Sequence, residues 1–167
     1  AGKRCVAAHS SDVAPMLIAL GARVEIANRA GRREIEVEDF FVNDGARNNV
    51  LEPGDLVTRI TVPAAARSLS AGYQKLRPRA AIDFPMLSVA FAARFDGATC
   101  HDPRLVVSAL AARPRTITGL DAVAGGRTLD GDVLEAVAQA ARQHCQPQTS
   151  IPYDKDWRHA MVPVFVK

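Results

Sequence analysis

Val13, Met16, Leu17 and Leu20 recur at the i, i+3, i+4, i+7 spacing, which predicts a helix of about three turns with one apolar face. Ser11 or Asp12 is placed to cap it, Pro15 falls in its first turn, and Gly21 supplies the stop. The period then drops to two. Val24 and Ile26 alternate with Arg23 and Glu25, a turn follows at 28–31, and Ile35 and Val37 alternate with Glu34, Glu36 and Glu38, which predicts a β-hairpin with a longer loop. A polar segment leads to the turn Pro53-Gly54, and 56–62 reads as a third strand.

Pro63 and the alanines after it mark a boundary near residue 65. Beyond it the pattern predicts strands through 73–76, 87–95 and 105–112, with a hairpin turn at Asp96-Gly97. After Pro114 the helical period returns. A short helix is expected over 118–124 and ends at Gly125-Gly126. An amphipathic helix follows over 133–141, capped by Asp132, and a last one over 154–167 has Trp157, Met161, Val164 and Phe165 on one face. A polar loop over 146–152 separates these two helices. Strands followed by helices, with turns suited to antiparallel pairing, give an α+β class.

The 167 residues are 48% hydrophobic and 23% charged, enough for one ordinary domain or two small ones sharing an interface. Charged residues, Gly or Pro interrupt every apolar run before the roughly 18 residues of a membrane span, and the start lacks the pattern of a secretion signal. A cytoplasmic protein that neither spans nor binds a membrane is expected. The net charge of +3 is dispersed, and with 5% aromatics there is little to stack bases on, so nucleic acid is not an expected partner. Three cysteines, Cys5, Cys100 and Cys145, fit neither a disulfide framework nor a self-contained zinc site.

His9, Ser10, Ser11 and Asp12 contain the residue types of a hydrolase site, but adjacent positions cannot orient one another as a relay, so capping is the better reading. The alternative is that this helix start meets a polar ligand such as a ribityl or phosphate group. His101 beside Cys100 and His144 beside Cys145 lack the partners that would complete a metal site. Lys75 shares a strand face with Tyr73 and Arg77, and the segment after it, through Ile82, Phe84 and Pro85, is too apolar for a solvent loop. A cation against such a wall can face an electron-rich ring. Residue patterns alone name no reaction class.

Four blocks in order carry a resemblance: CVAAHSSDVAPMLIALGA (5–22), LEPGDLVTRITVP (51–63), YQKLRPRAAIDFP (73–85) and DWRHAMVPVFVK (156–167). They resemble the FAD-binding subunit of molybdenum hydroxylases, the family of xanthine dehydrogenase, aldehyde oxidoreductase, carbon monoxide dehydrogenase and 4-hydroxybenzoyl-CoA reductase. The resemblance implies that 1–65 is the later part of an FAD-binding domain. It implies that 66–167 is the flavoprotein C-terminal domain, a three-stranded antiparallel sheet packed with helices. The two glycine-rich loops that cradle the FAD pyrophosphate in the family lie upstream of the matching material and are not in this chain.

By the same resemblance Asp12, Val57 and Lys75 fall at flavin-binding positions, with Lys75 near the isoalloxazine ring. Cys5 falls where some branches place the last ligand of a 4Fe–4S cluster. The implied function is passage of electrons through FAD between iron–sulfur centres and an acceptor. The implied partners are a molybdopterin-binding large subunit and a 2Fe–2S small subunit, and no residue here is an expected acid, base or nucleophile. The alternative is a subunit-docking module without flavin. The chain alone is expected to be inactive, with 66–167 the more autonomous unit and the apolar surface near 13–20 open to pairing with a second copy.

Overall fold

The structure, a computed structural model, describes residues 5, 7–149 and 154–167. Helix α1 (Ala14–Ala19) is followed by a three-stranded antiparallel sheet of β1 (Arg23–Asn28), β2 (Gly31–Glu36) and β3 (Leu56–Thr61), in the order β2-β1-β3. A helical turn, α2 (Val37–Phe40), lies between β2 and β3. After a 3-10 turn over Ala64–Ser68, three long strands form the second sheet: β4 (Leu69–Leu76), β5 (Leu87–Asp96) and β6 (Thr99–Ser108). The two-residue strands β7 (Arg115–Thr116) and β8 (Arg127–Thr128) both add to β6. Helices α3 (Leu120–Ala124), α4 (Gly131–His144) and α5 (Lys155–Val166) complete the chain.

The second sheet is the middle layer, and its period-2 alternation explains why. Leu87, Val89, Leu105 and Val107 point to one face and pack under α3, α4 and α5, around Leu120, Val133, Val137 and Val162. Ala90, Ala92 and Val106 point to the other, where α1 and the first sheet bring Ile18, Ala19, Val24 and Ile26. The small alanines let the α1 backbone approach closely.

The α+β arrangement and the three long antiparallel strands agree with expectation, but several local readings are corrected. Helix α1 is shorter than three turns. Its start is held by the Ser11 hydroxyl, which accepts from the Ala14 amide at 3.1 Å. The hairpin turn contains only Arg29 and Ala30 between paired Asn28 and Gly31, because the Asn28 side chain accepts from Ala30 N at 2.9 Å and closes it tightly. Strand β6 starts at Thr99, ahead of the expected 105, since the Asp96-Gly97 turn feeds straight into pairing from Asp96↔Thr99 onward. Asp130, not Asp132, caps α4 and accepts from Val133 N at 3.0 Å. Residues 150–152 of the expected polar loop lie outside the described residues.

The surface near 13–20 is also corrected. Val13 is exposed, but Ala14, Ile18 and Ala19 are buried against β5 and β6, and Met16, Leu17 and Leu20 pack on the same cluster. The chain covers most of this face itself and leaves Val13 exposed at its edge.

Candidate functional site

The Lys75 ammonium donates to Asp12 Oδ2 at 2.7 Å, and the Tyr73 hydroxyl donates to Asp12 Oδ1 at 3.1 Å. Tyr73 and Lys75 are two residues apart on β4, so pleating puts both side chains on the face toward α1. Asp12 arrives from the segment that enters α1. Strand alternation thus turns a 63-residue separation into a direct contact. Lys75 is 14% exposed at its side chain and Asp12 51%, so the ammonium sits deep and the carboxylate stands at the opening.

Asp12 and Lys75 line an open cleft of about 390 Å³ together with Ser10, Arg77, Ile82, Asp83, Phe84 and Pro85. The loop after β4 is tied by Arg79, whose backbone amide donates to Asp83 Oδ2 at 2.8 Å and whose guanidinium donates to the Ile82 carbonyl at 2.9 Å. The tie presents Ile82 outward at φ 46, a left-handed conformation that a β-branched residue rarely takes. Ile82 is 93% exposed and Phe84 74%. The cleft therefore combines charged, hydrogen-bonding groups with exposed apolar side chains.

Electrostatics follow from these contacts. The hydrogen bond from Lys75 holds the Asp12 carboxyl below its ordinary range, and Tyr73 acts in the same direction. Burial, with the Asp12 carboxylate adding to it, pushes the Tyr73 phenol up to about 12. At neutral pH the carboxylate is ionised and the phenol keeps its proton.

Two family descriptions match this chain. The CO dehydrogenase flavoprotein C-terminal domain matches residues 54–167, more than half of the sequence. The chain belongs to that family. The FAD-binding domain of molybdopterin dehydrogenases matches residues 1–65. The carbon monoxide dehydrogenase medium chain of Hydrogenophaga pseudoflava is 27% identical over 160 residues, covering 95% of this chain and 55% of the relative. The Escherichia coli aldehyde oxidoreductase FAD-binding subunit is 32% identical over 122 residues, 71% of this chain and 37% of the relative.

Among solved structures, Hydrogenophaga pseudoflava carbon monoxide dehydrogenase lacking the Mo-pyranopterin moiety superimposes with a TM-score of 0.84 at 25% identity, over 93% of this chain and 53% of that one. Quinoline 2-oxidoreductase from Pseudomonas putida 86 shares the fold with a TM-score of 0.82 at 21% identity, over 96% and 54%. This flavoprotein-family chain spans about half the length of the relatives it matches.

Within the flavoprotein fold the expected site residues separate. Asp12 and Lys75 come together in the cleft. Val57 does not join them: it lies on β3 opposite Ile26 and packs into the first sheet's core. Cys5 is an exposed free thiol, whereas Cys100 and Cys145 are buried. Among the described residues no group of three or more His, Cys, Asp or Glu is placed to hold a metal. His9 packs its ring edge-on to Phe41 at 4.6 Å while Asp12 is engaged by β4, so the two form no hydrolytic relay. His144 is occupied by Thr118 and the Ala140 carbonyl, at 3.0 and 2.8 Å. No helix among the described residues is long and apolar enough to cross a membrane.

The hydrogen-bonding role of Tyr73 has no signal in the sequence, whereas Phe84 belongs to the apolar wall expected beside Lys75. Strand alternation had put Tyr73 beside Lys75, but nothing local announced the acceptor it would share with it.

Proposed function

We propose that the chain forms part of the FAD-binding subunit of a molybdenum hydroxylase, and that the cleft between Asp12, Lys75 and the Ile82–Phe84 loop receives the isoalloxazine ring. The observation that carries this reading is the mixed apolar and charged lining of the cleft. A flavin ring is flat, apolar along one edge, and bears carbonyl and N–H groups along the other. Here the apolar Ile82, Phe84 and Pro85 share the lining with the polar and charged Ser10, Asp12, Lys75, Arg77 and Asp83. The donor set fits the ring.

FAD, when bound, supplies the electron-carrying chemistry. The chain's own residues set its surroundings. Lys75 places a positive charge where negative charge develops on reduction, and Asp12 fixes the ammonium while partly offsetting it. Ile82 and Phe84 exclude water from one side of the cleft. Val57 acts through the packing of β3 in this reading. The match of residues 1–65 to an FAD-binding domain speaks against a docking-only role.

In the intact enzyme the electrons pass between iron–sulfur centres and an external acceptor, with a molybdopterin-binding large subunit and a 2Fe–2S small subunit as partners. A 4Fe–4S cluster at Cys5 would draw its other ligands from outside the described residues. By itself the chain supplies one wall of the flavin site and is inactive. Titration of FAD and of lumiflavin with the chain, followed by flavin fluorescence, tests the reading. Weak quenching by both flavins is expected, and Lys75→Glu and Phe84→Asp each reduce it. Quenching unchanged in both variants contradicts the assignment.

A further inference from the structure

We infer that Tyr73 is a positioning residue of the cleft, which holds the Asp12 carboxylate so that the Lys75 ammonium stays at one fixed point. The inference rests on the flavin reading for its purpose but not for its geometry. A carboxylate at the opening of a cleft, half exposed, turns freely about its last torsion unless both oxygens are engaged. Lys75 engages Oδ2 at 2.7 Å and Tyr73 engages Oδ1 at 3.1 Å, from neighbouring positions on one face of β4. The second donor converts a single flexible contact into a two-point clamp.

The two donors are not equivalent. An ammonium has three protons on a four-carbon stem and follows its acceptor wherever it turns. A phenol hydroxyl sits at the end of a rigid ring with two torsions, so its position is set by the strand. Tyr73 therefore defines where Asp12 Oδ1 lies, Asp12 defines where Oδ2 lies, and Lys75 is placed last. The clamp also ties the segment before α1 to β4, so the charge in the cleft is registered to both parts of the chain.

The strand supports this order. On β5, Ala90 stands directly across from Tyr73 and Ser88 across from Lys75, both fully buried. A small residue opposite Tyr73 leaves the ring room to lie toward α1. Arg77 lines the same cleft and favours the Asp12 carboxylate through its charge, while the two hydrogen bonds of the clamp come from Lys75 and Tyr73.

The test uses Tyr73→Phe, which removes one hydroxyl and keeps the ring. Carboxyl carbon NMR of the chain follows Asp12 through its acid titration. The expected result is that the Asp12 titration moves upward in the variant, with line broadening of the Lys75 ε-carbon signal as the ammonium gains freedom. An unchanged Asp12 titration and an unchanged Lys75 signal overturn the inference. In the FAD-loaded enzyme, Tyr73→Phe lowers the flavin midpoint potential by less than Lys75→Met does. Where Lys75→Met does move the potential, a Tyr73→Phe shift equal to or larger than it also overturns the inference. If Lys75→Met leaves the potential unmoved while the NMR result holds, the flavin reading fails and the clamp stands.

Discussion

Lys75 Nζ lies 2.7 Å from Asp12 Oδ2, and that contact joins strand β4 to the segment entering α1. The pair belongs to the two stretches matched by different family descriptions, 54–167 and 1–65. The contact is thus made by one residue from each matched stretch.

The first prediction concerns acid stability. The Asp12 carboxyl is held below its ordinary value by Lys75 and Tyr73, so its contribution is present above the unfolded-state value and is lost as pH falls through the folded one. Because the carboxylate is half exposed, solvent screening limits the effect to about 0.2–1 kcal/mol. Asp12→Asn is expected to be less stable than the parent by that amount near neutrality, with the gap closing as pH falls below the ordinary carboxylate range. Urea denaturation at both pH values measures it, and a gap that widens in acid contradicts the assignment.

The second compares two isoleucines. Ile26 is fully buried between the sheets, and Ile26→Ala is expected to cost about 2–5 kcal/mol through lost transfer energy and a cavity. Ile82, at φ 46 and almost fully exposed, has little packing to lose and strain to relieve. Ile82→Gly is expected to leave stability unchanged or raise it by about 1 kcal/mol, while weakening flavin binding. Thermal melts and flavin titrations on the same samples read both effects. A strongly destabilised Ile82→Gly would show that the loop packs more tightly than described.

These two residues also show what was legible in the sequence. Ile26 was visible because alternation with Glu25 and Arg23 is a local signal, and the same signal put Tyr73, Lys75 and Arg77 on one face. Strand β6 was placed too late because Asp102 and Pro103 interrupt the apolar pattern, although pairing to β5 carries the strand through them. Asp130 and Asp132 are both capping types two residues apart, and only geometry chooses between them. The Asp12–Lys75 contact spans 63 residues and has no local signature. The resemblance named both residues as flavin-binding and left unsaid that they bind each other.

The third prediction counts thiols. Cys5 is exposed, whereas Cys100 and Cys145 are buried. Burial raises both of the latter, Cys145 to about 12. One thiol is expected to react rapidly with a disulfide reagent in the native chain at neutral pH, and two more only on unfolding. Prompt reaction of Cys145 would contradict the packing at the end of α4.

The flavin midpoint potential in the FAD-loaded enzyme tests the central claim most directly. If the clamp faces the ring, Lys75→Met removes a positive charge and lowers the potential, and Asp12→Asn removes a negative one and raises it. For an interaction of about 1 kcal/mol at this partly solvated site, each shift is roughly 20 mV for a two-electron couple. The double variant is expected to return close to the parent value. Shifts of opposite sign that nearly cancel support the account; an unmoved potential in both single variants, or shifts of the same sign, contradicts it.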